Sequence, residues 1–149
     1  MEIPSPLDEE EIDHMSVDMT FVVPSTRDGD NLTADQFDDR IEYTEKWFAE
    51  TFGGKTTIRG KGGWVDGDDE LVHEPVAVVE ASSTLDDYLD NRTDLGQFIK
   101  ERRENWGQDV IMYTIDGATF FYPDQDWLEG DKMPARIVDA VPEGSAVSD

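Results

Sequence analysis

The chain has 149 residues but no cysteine, only two histidines, and 12 Lys and Arg against 36 Asp and Glu. Without cysteine it has no disulfide, no thiolate metal ligand and no cysteine nucleophile. Its apolar runs are short, as in Phe21-Val22-Val23, whereas a membrane-spanning helix needs about 20 apolar residues. The segment from Met1 to Pro6 lacks the basic region and the apolar stretch of a secretory signal. We therefore predict no signal peptide, no membrane segment and no membrane partner.

The shortage of basic residues leaves a formal charge of -24. Nucleic acids and anionic lipids are bound through clustered Lys and Arg, so we expect no direct nucleic-acid partner. Acids occur in every predicted element and at both termini, and their repulsion is screened at high salt, where the Debye length is roughly 3 Å at 1 M. This pattern is typical of a halophilic protein, in a high-salt cytosol (cytoplasmic) or in a virion. The alternative is an acidic mimic of nucleic acid that blocks a basic protein.

Three regions of the chain differ in composition. Residues 1–17 form an acidic N-terminal arm, residues 18–122 an α+β domain, and residues 123–149 a C-terminal arm. Because 37% of the residues are hydrophobic, the central region has enough apolar surface to bury a core. The arms carry four apolar anchors for contacts with other subunits: Leu7, Ile12, Trp127 and Leu128.

The first half of the central region has a strand and a helix. Apolar residues alternate with others over residues 19–23, which is the period of a strand. Thr33 and Gln36 then form a capping box, and apolar residues follow at intervals of three and four. We therefore predict a helix at Ala34–Phe52, which the glycine pair after it ends.

The second half has a hairpin and a second helical region. Residues 55–83 read as two strands around a turn at Asp66–Glu70. After Thr84 we predict one or two helical turns, and then a new start at Asp94 for a main helix at Leu95–Trp106. The last predicted elements are a strand at residues 110–115, a type I′ turn at Asp116-Gly117 and a strand at residues 118–122.

This order of elements, β-α-β-β-α-β, is that of the ferredoxin-like split βαβ fold. We predict an α+β domain in which two helices cover one face of an antiparallel sheet, with an extra strand from the C-terminal hairpin. The opposite face carries Val22. Because exposed apolar surface usually marks an interaction site, we predict contacts there with other protein subunits, in a homo-oligomer or a larger assembly.

Two stretches have a recognisable pattern, Gly63-Trp64-Val65-Asp66-Gly67 followed by Glu70-Leu71-Val72-His73-Glu74-Pro75-Val76, and Trp106-Gly107-Gln108-Asp109-Val110. They resemble a hairpin and a helix-to-strand junction in a small bacterial and archaeal family known only as a domain of unknown function, over roughly Met19 to Ile115. The chain departs from the family by having Trp106 and Asp109 where the family has Phe and Glu, and by its acidic arms. The resemblance implies the α+β fold and supplies no catalytic residue.

Motifs for metals and phosphates are incomplete. The acids at Asp66–Glu70 offer oxygen ligands but lack EF-hand spacing. His73-Glu74 is not followed by a second histidine at helical spacing. Gly60–Gly63 lies between two predicted strands, whereas a phosphate-binding loop joins a strand to a helix. We therefore predict no metal and no cofactor.

No catalytic constellation stands out among so many carboxylates. We therefore interpret the chain as a non-catalytic interaction or structural module, and leave enzymatic activity open. The alternative is a small-molecule-binding or enzymatic dimeric ferredoxin-like domain. Its pocket would lie between sheet and helices and would be lined by four ligand-binding candidates: Trp64, His73, Arg102 and Tyr113.

Overall fold

A computed structural model describes residues 3–123 of the chain. The main elements are β1 (Val17–Pro24), a two-stranded ribbon of β2 (Thr26–Arg27) and β3 (Asp30–Asn31), α1 (Ala34–Phe52), β4 (Thr56–Val65), β5 (Leu71–Ser83), α2 (Leu85–Asn105), β6 (Ile111–Ile115) and β7 (Ala118–Tyr122). A single 3₁₀ turn at Glu9–Glu11 precedes them.

The five long strands form one antiparallel sheet in the order β4-β5-β1-β6-β7. The first strand therefore lies at the centre, between β5 and β6, as the ferredoxin-like arrangement requires. Helix α1 packs on β1 and β5, and α2 packs on β6 and β7. The predicted α+β, ferredoxin-like fold with an extra C-terminal strand is confirmed.

The first helix begins and ends where local chemistry predicts. The Thr33 side chain accepts from the Gln36 backbone N–H, and the Gln36 side chain accepts from Thr33 N–H, so both orphan donors are satisfied. Gly53 ends the helix with φ of 90°, a conformation that glycine adopts without a Cβ clash. The buried positions of the helix include Phe37, Ile41 and Phe48, which form the predicted apolar stripe.

The second helix corrects the prediction. It is one continuous helix, Leu85–Asn105, capped by the Thr84 hydroxyl, which accepts from Asp87 N–H at 3.2 Å. The sequence pattern predicts a break at Asp94, and the structure has none there. The polar residues around that position are exposed. The helix continues through them because Tyr88, which precedes them, packs against the core, and Leu95, which follows, is buried.

The core lies between the helices and one face of the sheet. Residues at alternate positions of β1 are buried there, among them Phe21, which is 1% exposed. Its ring lies 6.1 Å from Phe48, 5.4 Å from Phe98 and 6.1 Å from Trp106, measured between ring centres. This aromatic cluster holds α1 and α2 against the centre of the sheet.

No helix of residues 3–123 covers the opposite face of the sheet. Val22 lies on it and is half-buried, and Ile58 on β4 is 53% exposed. Leu7 of the N-terminal arm is exposed and Ile12 is half-buried, whereas Trp127 and Leu128 lie outside the described residues. Contact with other subunits through these positions stays a prediction. Within residues 3–123, neither helix is long and apolar enough to cross a membrane.

Candidate functional site

The structure separates the four side chains that the sequence suggested for one pocket. Strands β4 and β5 extend as a two-stranded ribbon beyond Pro24, where β1 ends. On this ribbon Trp64 pairs with Val72, and His73 pairs with Gly63. Because successive residues of a strand point to opposite faces, Trp64 and His73 lie on opposite sides of the ribbon.

Arg102 lies in the packing between the helices. Its guanidinium carbon is 4.5 Å from the ring centre of Tyr43, 5.3 Å from that of Phe98 and 5.6 Å from that of Trp106. The residue is 7% exposed, and its Nη2 lies 3.9 Å from Glu101 Oε1. Arg102 therefore contributes a buried cation held by aromatic faces.

Tyr113 lies on β6, on the helix-covered face, opposite Phe21 of β1 and Phe120 of β7. The other three candidates belong to the ribbon and to the helix interface, so no single pocket contains all four. The reason is geometric. Side chains alternate between the two faces of a strand, so Trp64 and His73 lie on opposite faces, and Arg102 is on the side of α2 that faces the core.

A groove of about 530 Å³ lies beside Tyr113, between α2 and the edge of the sheet formed by β6 and β7. Among the residues that line it are Tyr88, Arg92, Gly96 and Lys100 on α2, Tyr113 on β6 and Phe120 on β7. Its position follows from the sheet order, because β7 is an edge strand and α2 lies alongside it.

One wall of the groove is aromatic. The rings of Tyr113 and Phe120 are stacked with their centres 5.3 Å apart and their planes 21° apart. Phe120 is 37% exposed, so part of this wall is open to a ligand. Burial raises the pKa of Tyr113 and the nearby Tyr88 raises it further, while the charge of Arg92 acts in the opposite direction. Tyr113 therefore remains a neutral hydrogen-bond donor.

Both charged side chains that line the groove are basic, in a strongly negative chain. Arg92 and Lys100 line it, and among its described lining residues there is no Asp or Glu. Neither cation has an ion-pair partner within residues 3–123, whereas Lys55 pairs with Glu45 and Arg59 pairs with Asp38. Two basic side chains therefore face this groove without neutralisation by a described carboxylate.

Gly96 lies between these two cations, in the interior of α2. A glycine at such a position destabilises a helix by about 1 kcal/mol relative to alanine. Nothing in the described structure requires glycine here, since a Cβ atom at residue 96 would meet no other atom within 4 Å. Its effect is to leave open the side of the groove formed by α2.

Sequence reasoning missed Arg92, Gly96 and Lys100. Their spacing of four residues could have indicated a shared surface, because positions four residues apart on one helix are neighbours on its surface. The expected break at Asp94 concealed it by separating Arg92 from the other two. Among residues 3–123, no group of three or more His, Cys, Asp or Glu is arranged to hold a metal ion.

The fold and groove define a ferredoxin-like α+β domain with a surface site of small-molecule size. No family model and no curated protein matches the chain, so the resemblance to a family of unknown function stays a prediction. A solved structure described as a phage SAM lyase in complex with S-methyl-5'-thioadenosine is similar, with a TM-score of 0.52 and 12% identity over 77% of this chain and 95% of that one. A second, of a phage SAM lyase in the apo state, has a TM-score of 0.49 and 12% identity over 70% and 86% of the two chains.

The likeness to the complex corrects the functional interpretation. At 12% identity, the likeness to the complex establishes the fold that the two chains share. The phage protein in that complex is a lyase with a bound small molecule. The prediction of a non-catalytic interaction or structural module is therefore wrong, and the alternative, a small-molecule-binding or enzymatic domain, agrees better with the finding.

Proposed function

We propose that the chain is a small-molecule enzyme whose groove between α2 and the β6–β7 edge binds an adenosine compound. The observation that carries the proposal is the character of the groove: an aromatic wall and two unpaired cations, with no described carboxylate, in a chain with 36 acids. Its volume of about 530 Å³ lies within the range of roughly 300–1,000 Å³ usual for small-molecule sites.

The aromatic wall suits a purine ring. A base stacked on an aromatic side chain contributes about 1–3 kcal/mol to binding, and the exposed part of Phe120 provides such a surface beside Tyr113. The neutral Tyr113 hydroxyl is a hydrogen-bond donor for a ring nitrogen or a ribose oxygen. The choice of adenosine compounds follows the ligand of the phage enzyme with the same fold.

The acidic surface sets the conditions in which this enzyme would work. A charge of -24 destabilises a compact chain through self-repulsion, and salt relieves that repulsion. We therefore propose a high-salt setting, a halophilic cytosol or virion. Contacts in the groove would survive there because interactions at hydrogen-bond distance are screened less than those over longer distances.

The direct test is binding and turnover. The purified chain in concentrated KCl is titrated with S-adenosylmethionine and with S-methyl-5'-thioadenosine by calorimetry, and S-adenosylmethionine is incubated with the enzyme and analysed by chromatography. We expect saturable binding of both compounds and enzyme-dependent loss of S-adenosylmethionine. Binding without turnover would reduce the proposal to a binding domain, and absence of binding would reject it.

Substitutions of Gly96 test whether the ligand binds in this groove. Gly96→Leu fills the groove, so it should abolish binding while the far-ultraviolet circular dichroism stays native. Gly96→Ala is the matched control: its methyl group enters open space, so binding should persist and the helix should gain about 1 kcal/mol of stability. Undiminished binding by a folded Gly96→Leu variant would place the ligand elsewhere.

A further inference from the structure

Arg92 and Lys100 form a pair with a defined spacing along the groove. They are eight residues apart on one continuous helix, which corresponds to about 12 Å. Gly96 lies midway between them on α2, four residues from each, and lines the same groove without a side chain of its own. Tyr113 and Phe120 form the opposite wall.

We infer that this groove selects aromatic ligands that carry an anionic group, and that Arg92 holds the anion while the ring lies on the Tyr113–Phe120 wall. The inference rests on the proposed function in one respect, that the ligand occupies this groove. It adds a substrate class, because adenosine compounds differ in whether they carry a carboxylate or phosphate. Arg92 is a specificity-determining residue in this arrangement.

The chemistry of guanidinium favours Arg92 over Lys100 as the primary contact. A guanidinium group presents a planar fork of donors that matches a carboxylate or phosphate, whereas an ammonium group acts as a point charge. Arg92 lines the same groove as the Tyr113 and Phe120 rings, so a ligand held by its guanidinium can reach the aromatic wall. Lys100 supplies a second positive charge farther along the groove.

The surrounding charge makes this local arrangement selective. A protein with a net charge of -24 repels anions at a distance. An anionic ligand would therefore gain affinity only from direct contact with cations that are not already neutralised. Within residues 3–123, Arg92 and Lys100 have no ion-pair partner, and both line one groove beside an aromatic wall.

The experiment compares probes that differ in charge. Adenosine-5'-carboxylate is compared with its neutral carboxamide, and AMP is compared with adenosine. Indole-3-acetate and indole-3-acetamide form a third pair without a nucleoside. Affinities are measured by NMR titration over a range of KCl concentrations, with the Gly96 amide as the reporter. The variants are Arg92→Gln, Arg92→Lys and Lys100→Gln, with Lys46→Gln, an exposed lysine of α1, as the matched charge control.

We expect the anionic member of each pair to bind about tenfold more tightly, since a hydrogen bond to a charged group is stronger than one between neutral groups. Arg92→Gln should remove that ratio while the neutral probes still bind, Arg92→Lys should restore part of it, and Lys46→Gln should leave it unchanged. The carboxylate and phosphate pairs together identify which anion is preferred.

The failures of the two proposals are distinguishable. Equal binding of charged and neutral adenosine probes would overturn the inference and leave the proposed function standing. A charge preference confined to the indole pair, and lost in Arg92→Gln, would support the inference and reject adenosine compounds as ligands. Absence of any shift at Gly96 with every probe would overturn both.

Discussion

Arg40 and Trp106 join the two helices to each other. The Arg40 guanidinium lies 5.0 Å from the centre of the Trp106 ring, and its Nη2 donates to the Trp106 carbonyl oxygen at 3.1 Å. Its Nη1 donates to the Pro24 carbonyl at 2.8 Å. Because Trp106 follows the last residue of α2, the cation lies at the negative end of that helix. Burial, and to a lesser extent the charge of Arg27, lower the pKa of Arg40 to about 10, so it is still charged at neutral pH.

Replacement of Arg40 should therefore destabilise the fold. Arg40→Met removes the donors for two backbone carbonyls and the cation over the Trp106 ring, and we expect a loss of about 2–4 kcal/mol in the free energy of unfolding. The measurement is urea unfolding in concentrated KCl. Arg59→Met is the control, because the Arg59–Asp38 pair is more than half exposed and such pairs contribute about 0–1 kcal/mol. Similar losses in both variants would contradict the role given to Arg40.

Glu45 links the second half of α1 to the start of β4, and it should make the stability of the fold sensitive to acid. Its Oε2 accepts from Lys55 Nζ at 2.6 Å and also from the Thr57 hydroxyl. The hydrogen bond from Lys55, then that from Thr57, lower the pKa of Glu45 below 4.5. A carboxylate whose folded pKa is lowered stabilises the protein above its unfolded pKa, and this contribution disappears as the pH falls through the folded value.

Glu45→Gln should therefore weaken the dependence of the free energy of unfolding on pH below pH 4.5. At neutral pH it should lower that free energy by about 0.5 kcal/mol. The free energy of unfolding is measured at neutral pH and at a series of pH values below 4.5. Glu50→Gln, an exposed change of the same type on the same helix, is the control. If Glu45→Gln retained the full acid slope of the native chain, the predicted linkage would be wrong.

Phe21 should be among the most sensitive core positions. Its side chain is 1% exposed and contacts rings from both helices, so Phe21→Ala leaves a cavity where the helices meet the sheet. We expect a loss of about 3–5 kcal/mol, measured by thermal or urea unfolding. Leu71→Ala, at a position that is 61% exposed, should change stability by less than about 0.5 kcal/mol. A mild effect at Phe21 would mean that the aromatic cluster is not the centre of the core.

The turn between β6 and β7 provides a backbone test. Asp116 and Gly117 have φ values of 50° and 83°, which a type I′ turn requires. Gly117→Ala should cost about 1 kcal/mol, because alanine adopts a positive φ poorly. Gly67→Ala is matched to it: a Cβ atom would meet nothing within 4 Å at either site, but Gly67 lacks the positive φ. Equal stabilities for the two variants would exclude the conformational explanation.

Salt should stabilise the folded chain strongly. The formal charge of -24 predicts a thermal unfolding midpoint that rises steeply as KCl is added to dilute buffer, because screening relieves self-repulsion. Sucrose at matched osmotic strength is the control, since it favours compact states without screening charge. A midpoint that responds equally to sucrose and KCl would argue against the high-salt setting.

Much of the fold could be predicted because its determinants are local. The capping box at Thr33, the glycine that ends α1 and the turn at Asp116 each depend on residues close together in the chain. The order of these elements was enough to predict a ferredoxin-like sheet. The continuity of α2 was missed because its polar middle turns are held by packing before and after them.

The sequence by itself determined the elements, their order and the charge of the surface, since these follow from composition and from short-range spacing. Only the tertiary structure decided which side chains share a site. Trp64 and His73 are close in the chain's hairpin yet lie on opposite faces, and Arg102 is turned into the helix interface. Arg92, Gly96 and Tyr113 line one groove because α2 lies alongside β6 and β7. That juxtaposition depends on helix-to-sheet packing, which no local pattern of residues encodes.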